Sequence, residues 1–248
     1  MGTRYRLQES LRHDRDIERS REGDAGEVQA DKSTSSLEVQ MKIGVFGGSF
    51  DPLHLGHLLL AETVRETCAL DEVWLTPAFQ SPLKAATPRA TPRQRVEMLR
   101  LAVAGFPPFR LHDREIKRKG ISYTVETLAD LAKDRPDAEL SLIIGADALA
   151  DFPRWRDPDQ ILKFARVIAV NRGEAPASLE NVRKSLGESQ LARFQIVSMP
   201  MIDLSSTRIR ERVAAGKSIR YQTLRAVEQY IHQHQLYLPE PVDAGAAS

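Results

Sequence analysis

The stretch KIGVFGGSFDPLHLGHLLLAETV (residues 42–64) sets a short apolar run, a Gly-Gly-Ser turn, two histidines three positions apart and an aliphatic run in immediate succession. Lys42 to Phe46 reads as a short buried strand, and Leu55 to Leu70 carries the apolar spacing of a helix. The folded part of the chain therefore opens on a strand-turn-helix unit.

The same alternation continues outward. Residues 71–78 read as the next strand, and 91–105 as a helix with Pro92 in its first turn and Gly105 closing it. FRLHDREI (109–116) alternates as a strand does, 122–134 spaces as a helix, and ELSLIIGAD (139–147) is a buried strand. Helix 157–165, strands 166–172 and 193–200, and two helices over 205–216 and 224–236 complete the pattern. Strands separated by helices of this length predict an α/β, doubly wound parallel sheet covered on both faces, with ligands held beyond the carboxyl ends of its strands. No repeat or linker interrupts 41–239, so a single domain is expected there, with 240–248 a flexible end.

Composition narrows the partners. Lys plus Arg (35) nearly balances Asp plus Glu (34), which gives no global field for nucleic acid or an anionic membrane. One cysteine, Cys68, offers neither an internal disulfide nor a structural zinc site and suits a reducing, cytoplasmic setting. No apolar run approaches the roughly 18 residues of a membrane span. Residues 1–40 hold 16 charged residues of mixed sign and no Trp or Phe, too little apolar surface to offset ordering. They read as a disordered tail or, since Met41 directly precedes the first strand, as residues ahead of the true start. A targeting arm is disfavoured by their nine acidic side chains.

In a doubly wound sheet, the turn after the first strand faces the binding crevice. Gly47 and Gly48 remove side chains there, so backbone N–H groups approach an anion closely; Ser49 adds a hydroxyl, and the helix N-terminus adds partial positive charge. His54 and His57 stand one helical turn apart, which directs both imidazoles at one crevice, and Gly56 lets a flat ring lie against the backbone. Half a metal site is a rival reading, but no Cys or carboxylate stands at companion spacing. A pair of locally satisfied helix-end histidines is another, outweighed by the Gly-Gly-Ser turn just before them. The glycines run G-x-x-G-G, not the dinucleotide G-x-G-x-x-G. Gly216-Lys217-Ser218 follows a helix and has Glu211 where a P-loop requires glycine, so it reads as a helix end and turn.

GGSFDPLHLGH resembles the signature of the nucleotidylyltransferase superfamily, with its H-x-G-H element, and LSSTRIR (204–210) resembles the I-S-S-T-x-I-R element of the same proteins. SPLK, ISYTVETL, IIGADAL and FPRW are similar, in order, to further motifs of the bacterial nicotinate mononucleotide adenylyltransferases. The resemblance spans about 41–238. It implies a Rossmann-like nucleotidylyltransferase fold and transfer of AMP from ATP to nicotinate mononucleotide, releasing pyrophosphate, in NAD biosynthesis.

The resemblance also implies roles. Ser49, His54 and His57 would contact the ATP phosphates, with Gly47, Gly48, Phe50 and Gly56 around them and the histidines stabilising charge at the attacked phosphate. Ser205, Ser206 and Thr207, ahead of a helix, would form a second anion site at the other end of the sheet, with Arg208 or Arg210 adding charge to the leaving pyrophosphate. An ordinary N-cap and an ordinary exposed arginine are the plain alternative. Lys84 looks like the family's phosphate-binding lysine, preceded by Leu83 where the family often has His; alone it would read as a solvated surface residue. Tyr123 and Thr124 would line the pyridine nucleotide site, or else cap a helix. Gly145 and Asp147, at the end of a buried strand, would meet the adenosine ribose, or Asp147 would cap the next helix. Trp155 would stack on the nicotinate ring with Arg154 or Arg156 near its carboxylate, or else lie structurally under a loop. Mg²⁺ is expected with ATP, held by phosphates and water, and no protein metal ligand is named.

Other acceptors, phosphopantetheine or nicotinamide mononucleotide, are the nearest rivals. A class I aminoacyl-tRNA synthetase shares H-x-G-H but needs a K-M-S-K-S loop that this chain lacks. An idle nucleotide-binding regulator would be expected to have lost some of these residues. Whether the chain forms a homo-oligomer is left open.

Overall fold

A computed structural model describes residues 40–82, 87–173 and 177–239. Expectations for 1–39, Leu83, Lys84 and 240–248 lie outside the described residues. The strands are β1 (Met41–Gly48), β2 (Glu72–Pro77), β3 (Phe109–Leu111), β4 (Ala138–Gly145), β5 (Ala165–Arg172) and β6 (Phe194–Met199). The helices are α1 (Leu55–Thr67), α2 (Pro92–Val103), α3 (Arg114–Arg118), α4 (Thr124–Asp134), α5 (Ala146–Asp151), α6 (Pro158–Phe164), α7 (Glu180–Leu186), α8 (Ser206–Ala214) and α9 (Arg225–Gln233), with 3-10 turns at Phe152–Arg154 and Glu188–Arg193.

The six strands form one parallel sheet in the order β3-β2-β1-β4-β5-β6. The order reverses between β1 and β4, and a ligand crevice opens at such a switch point.

Alternation along the central strands feeds two cores. Ile43 and Val45 of β1, Leu140, Leu142 and Ile144 of β4, and Val167 and Ala169 of β5 pack with Leu128, Leu131, Ile161 and Val182 of α4, α6 and α7. Phe46, Ile143, Ile168 and Val170 point the other way and meet Leu60 and Val64 of α1, Leu99 of α2, Ile209 of α8 and Val227 and Ile231 of α9. Burial on both faces explains why these strands read as near-continuous apolar runs.

Helix starts follow local chemistry. Thr91 Oγ1 accepts from Gln94 N at 3.2 Å while Gln94 Oε1 accepts from Thr91 N at 2.8 Å, a reciprocal cap with Pro92 at the first helical position. After α8, Gly216 takes a left-handed φ of 65°, and the Gly216 and Lys217 N–H groups donate back to Val213 and Arg212, so the Gly-Lys-Ser triplet is a helix end and turn as read.

The strand expected over 109–116 is corrected. It pairs only as Phe109–Leu111, and residues 114–118 are helical. The edge ladder ends when His112 N donates to Leu75 O. Beyond it, Asp113 pairs with Lys117 at helical spacing (2.8 Å), and Arg114 pairs with Asp130 and Asp134 of α4. Charge pairing that needs the helical period overrides the alternation. The strand expected over 139–147 likewise stops at Gly145, which is itself the N-cap of α5; Asp147 lies inside the first turn and is not the cap. The short α3, α5 and α7 carry too few apolar residues to register as periodic.

Candidate active site

The turn between β1 and α1 is held in an unusual backbone. Phe50 takes a left-handed φ of 46°, and the Asp51–Pro52 peptide is cis. A left-handed aromatic residue costs on the order of 1–3 kcal/mol, and the Phe50 ring offsets this by burial (2% exposed), edge-on to Phe46 at 5.5 Å and to His57 at 5.1 Å. The side chain of Phe50 is thus a wedge under the turn, which leaves only its backbone for a ligand. A Cβ on Gly48 would stand 3.0 Å from that ring, whereas one on Gly47 would meet nothing within 4 Å.

The two histidines do not open side by side into the crevice. Their rings stack, with centroids 3.7 Å apart and planes at 28°; His54 is 3% exposed and His57 half-buried. The flat ring against Gly56 is that of His54, since a Cβ on Gly56 would lie 3.0 Å from His54 Nδ1. His57 Nδ1 accepts the His54 backbone N–H at 3.2 Å, which puts the His57 ring proton on Nε2. His54 Nδ1 is buried with no hydrogen-bond partner among the described residues. Burial first, and the Arg172 charge second, lower the His54 pKa from 6.5 to about 4. Stacked imidazoles so placed cannot both carry charge at neutral pH.

Arg172 was missed in the sequence. It ends β5, at the carboxyl edge where ligands gather, and its guanidinium lies 3.9 Å from Asp147 Oδ2 and 3.3 Å from where a Cβ of Gly145 would stand. Its position at a strand end was the available signal.

The Ser-Ser-Thr element belongs to the same locality as the first turn. Ser205 is the N-cap of α8, its Oγ accepting from Arg208 N at 3.2 Å, as the plain reading had it. Ser206 Oγ donates to the Pro52 carbonyl at 2.9 Å, and Arg210 Nη1 donates to the Asp51 carbonyl at 2.7 Å. The N-termini of α1 and α8 therefore converge, and the anion sites expected at opposite ends of the sheet are neighbours. The crossover from β6 returns α8 to the face that α1 covers. Arg210 Nη2 also donates to Thr207 Oγ1 at 3.1 Å, and its side chain is only 21% exposed, so it braces the turn. Arg208 is more open and pairs with Asp203.

A cleft of about 580 Å³ runs between the Gly47-Gly48-Ser49 turn and the start of α4. Tyr123, Thr124, Gly145, Trp155 and Arg156 line it with the turn, so eight of the expected residues share one cavity. Tyr123 is the N-cap of α4 yet makes no side-chain cap, which removes the capping alternative for that pair. Arg156 stacks on the Tyr123 ring at 4.4 Å and pairs with Glu126 at 3.0 Å. Trp155 packs on Phe152 at 5.4 Å, and its buried Nε1 has no partner among the described residues. It is both half-buried packing and cleft wall. Glu115 also lines the cleft and was not anticipated; burial raises its pKa although Thr127 Oγ1 donates to it at 2.7 Å. A second cavity, about 600 Å³, is lined by Asp147, Arg172 and Asp203.

A family model described as cytidylyltransferase-like matches residues 45–212, which takes in the Gly-Gly-Ser turn, both histidines and the Ser-Ser-Thr helix start. The chain belongs to this family of nucleotidyl-transferring domains. Within it, the chain sits among the nicotinate-nucleotide adenylyltransferases. A Roseiflexus sp. (strain RS-1) protein named probable nicotinate-nucleotide adenylyltransferase is 46% identical over 195 residues, covering 79% of this chain and 97% of that protein. One of the same name from Rhodopirellula baltica is 40% identical over 198 residues, covering 79% and 92%. Among solved structures, Plasmodium falciparum nicotinic acid mononucleotide adenylyltransferase complexed with NaAD superposes with a TM-score of 0.65 at 18% identity, covering 79% of this chain and 97% of that one. The same enzyme complexed with APC gives 0.63 at 17% identity, with the same coverage. At such identities these structures show the fold alone.

Proposed function

We propose that the protein transfers the adenylyl group of ATP to nicotinate mononucleotide, giving nicotinate adenine dinucleotide and pyrophosphate, the activity for which its curated relatives are named. The observation that carries this reading is the shared cleft, in which a phosphate-binding turn faces Tyr123, Thr124, Trp155 and Arg156. A 5′-phosphate oxygen of the mononucleotide attacks the α-phosphorus of ATP; the new P–O bond forms as the bond to the β-phosphate oxygen breaks, and pyrophosphate leaves with that electron pair. No covalent enzyme intermediate is needed, so the protein acts by alignment and charge stabilisation.

His57, with its proton on Nε2, donates to the α- or β-phosphate as charge builds. His54, neutral down to about pH 4, supports that ring without adding a second charge. Ser49 and the N–H groups of the turn hold the triphosphate, with Arg208 free to exchange Asp203 for phosphate. Gly145, Asp147 and Arg172 flank the adenosine half, and Trp155 with Arg154 and Arg156 the nicotinate half. Lys84 remains a proposed phosphate ligand outside the described residues.

Among the described residues, no group of three or more His, Cys, Asp or Glu gathers to hold a metal. The donor set of N–H groups, imidazoles and guanidinium suits phosphate oxygens. Mg²⁺ entering with ATP would be held by the triphosphate and water and would neutralise phosphate charge. Among the described residues, no helix is long and apolar enough to cross a membrane; with a single free cysteine, a cytoplasmic setting is the proposal.

The test is pyrophosphate release from ATP with nicotinate mononucleotide, nicotinamide mononucleotide and phosphopantetheine side by side. Preference for nicotinate mononucleotide is expected. Release with none of the three would overturn the reading.

A further inference from the structure

The turn that carries the phosphate-binding residues is pinned from behind by its carbonyls. Buried Arg95 of α2 donates Nη1 to the Ser49 carbonyl at 2.7 Å and Nη2 to the Phe79 carbonyl at 3.3 Å. Arg210 takes the Asp51 carbonyl (2.7 Å), Ser206 the Pro52 carbonyl (2.9 Å) and Thr223 Oγ1 the Leu53 carbonyl (2.7 Å). Four carbonyls between residues 49 and 53 are therefore held by side chains from three separate parts of the chain. A trans peptide is planar, with its C=O and the following N–H pointing in opposite directions. Fixing the Ser49 and Pro52 carbonyls inward thus turns the Phe50 and Leu53 N–H groups the other way.

The chain's C-terminal segment completes this brace. Tyr237, 6% exposed, donates its O–H to Asp51 Oδ1 at 2.8 Å across 186 residues. The same carboxylate accepts the Arg89 N–H at 2.8 Å and the Ala90 N–H at 3.0 Å, with Arg210 Nη1 3.8 Å from Oδ2. Gln235 and Tyr237 both take left-handed backbone, φ 50° and 65°, in the segment that delivers this hydroxyl. Burial, and then the Asp51 charge, push the Tyr237 phenol far above its ordinary pKa, so it stays a donor.

We propose that Tyr237, Thr223 and Arg95 are positioning residues for adenylyl transfer, holding the turn at residues 49–54 in the one backbone geometry that presents its N–H groups and His57 to the triphosphate. The proposal rests on the ATP-dependent reading of the site, and it makes the distant C-terminal segment part of the active-site frame.

The experiment uses the full chain with Tyr237→Phe, Thr223→Val and a control, Leu236→Ala, which removes buried apolar contact from the same segment but none of the hydrogen bonds to the turn. Calorimetric affinity for α,β-methylene-ATP is measured beside thermal stability, and kcat and KM beside both. Loss of a single buried brace is expected to weaken analogue binding by about tenfold in Tyr237→Phe and Thr223→Val. Their kcat should fall similarly, with KM for nicotinate mononucleotide within about twofold of the parent. Leu236→Ala should lose as much stability and keep analogue affinity. Parent-like affinity in either folded brace variant would overturn the proposal, as would losses in all three that merely follow stability. Thr223→Val carries the test if Tyr237→Phe does not fold. A parent enzyme that binds the analogue but does not use nicotinate mononucleotide would refute the assigned acceptor while leaving the brace testable.

Discussion

The imidazoles of His54 and His57 are stacked at 3.7 Å, and the His54 backbone N–H donates to His57 Nδ1 at 3.2 Å, so one histidine sets both the proton position and the orientation of the other. His54 is enclosed and His57 half-open, which accords with the proposed division of support and substrate contact between them.

His57→Ala should lower kcat by about 10²- to 10³-fold, the typical consequence of deleting one donor to developing charge. Circular dichroism and thermal unfolding should remain close to the parent's. Near-normal turnover in a folded variant would remove His57 from the mechanism.

Acid should destabilise the folded chain partly through His54. Its folded pKa of about 4 lies below 6.5, so between those values the unfolded state binds more protons and stability rises with pH. The contribution lost on going from pH 7 to pH 5 is about 2 kcal/mol. Urea unfolding at the two pH values should show a smaller difference in His54→Gln than in the parent, and an equal difference would contradict the enclosed, neutral imidazole.

Replacing Arg172 by Met should raise the His54 pKa only partway toward 6.5, because burial is the larger cause and remains. Titration of the labelled imidazole by NMR reads this directly. An unmoved value would mean that the Arg172 charge does not reach the ring.

Gly56→Ala separates stability from activity. Alanine favours the helix by up to about 1 kcal/mol over glycine, but its Cβ would stand 3.0 Å from His54 Nδ1 and displace that ring. Turnover should fall more than about tenfold with little loss of melting temperature; retained turnover would show that the stacked pair tolerates the shift.

Arg156→Ala severs the stack on Tyr123 and the pair with Glu126. KM for nicotinate mononucleotide should rise about threefold to tenfold, with KM for ATP unchanged. A change confined to ATP would place Arg156 on the wrong half of the cleft.

Much of this site could be read from residues close together in the chain. The Gly-Gly-Ser turn, the paired histidines and the helix after them are legible as residue types and spacing within one short segment, although the backbone of the turn is held by distant side chains. FRLHDREI misled because alternation was weighed without the ion pairs to α4 that make residues 114–118 helical. The helix over 91–105 was read from Pro92 and Gly105 at its ends, so Arg95 was passed over; a charged residue on its buried face (0% exposed) was the signal that the helix also buries a polar contact.

The sequence by itself determined the doubly wound parallel sheet and the glycine turn and histidine pair that follow its first strand, since strand and helix periods and the turn's glycines are properties of short segments. Only the tertiary structure decided that the N-termini of α1 and α8 form one locality, that Arg172 lies beside Gly145 and Asp147, and that the Ser49, Asp51 and Leu53 carbonyls are held by Arg95, Arg210 and Thr223 across 46, 159 and 170 residues. Those contacts depend on strand order and on which face each crossover covers, and no local pattern encodes a distance between residues so far apart in the chain.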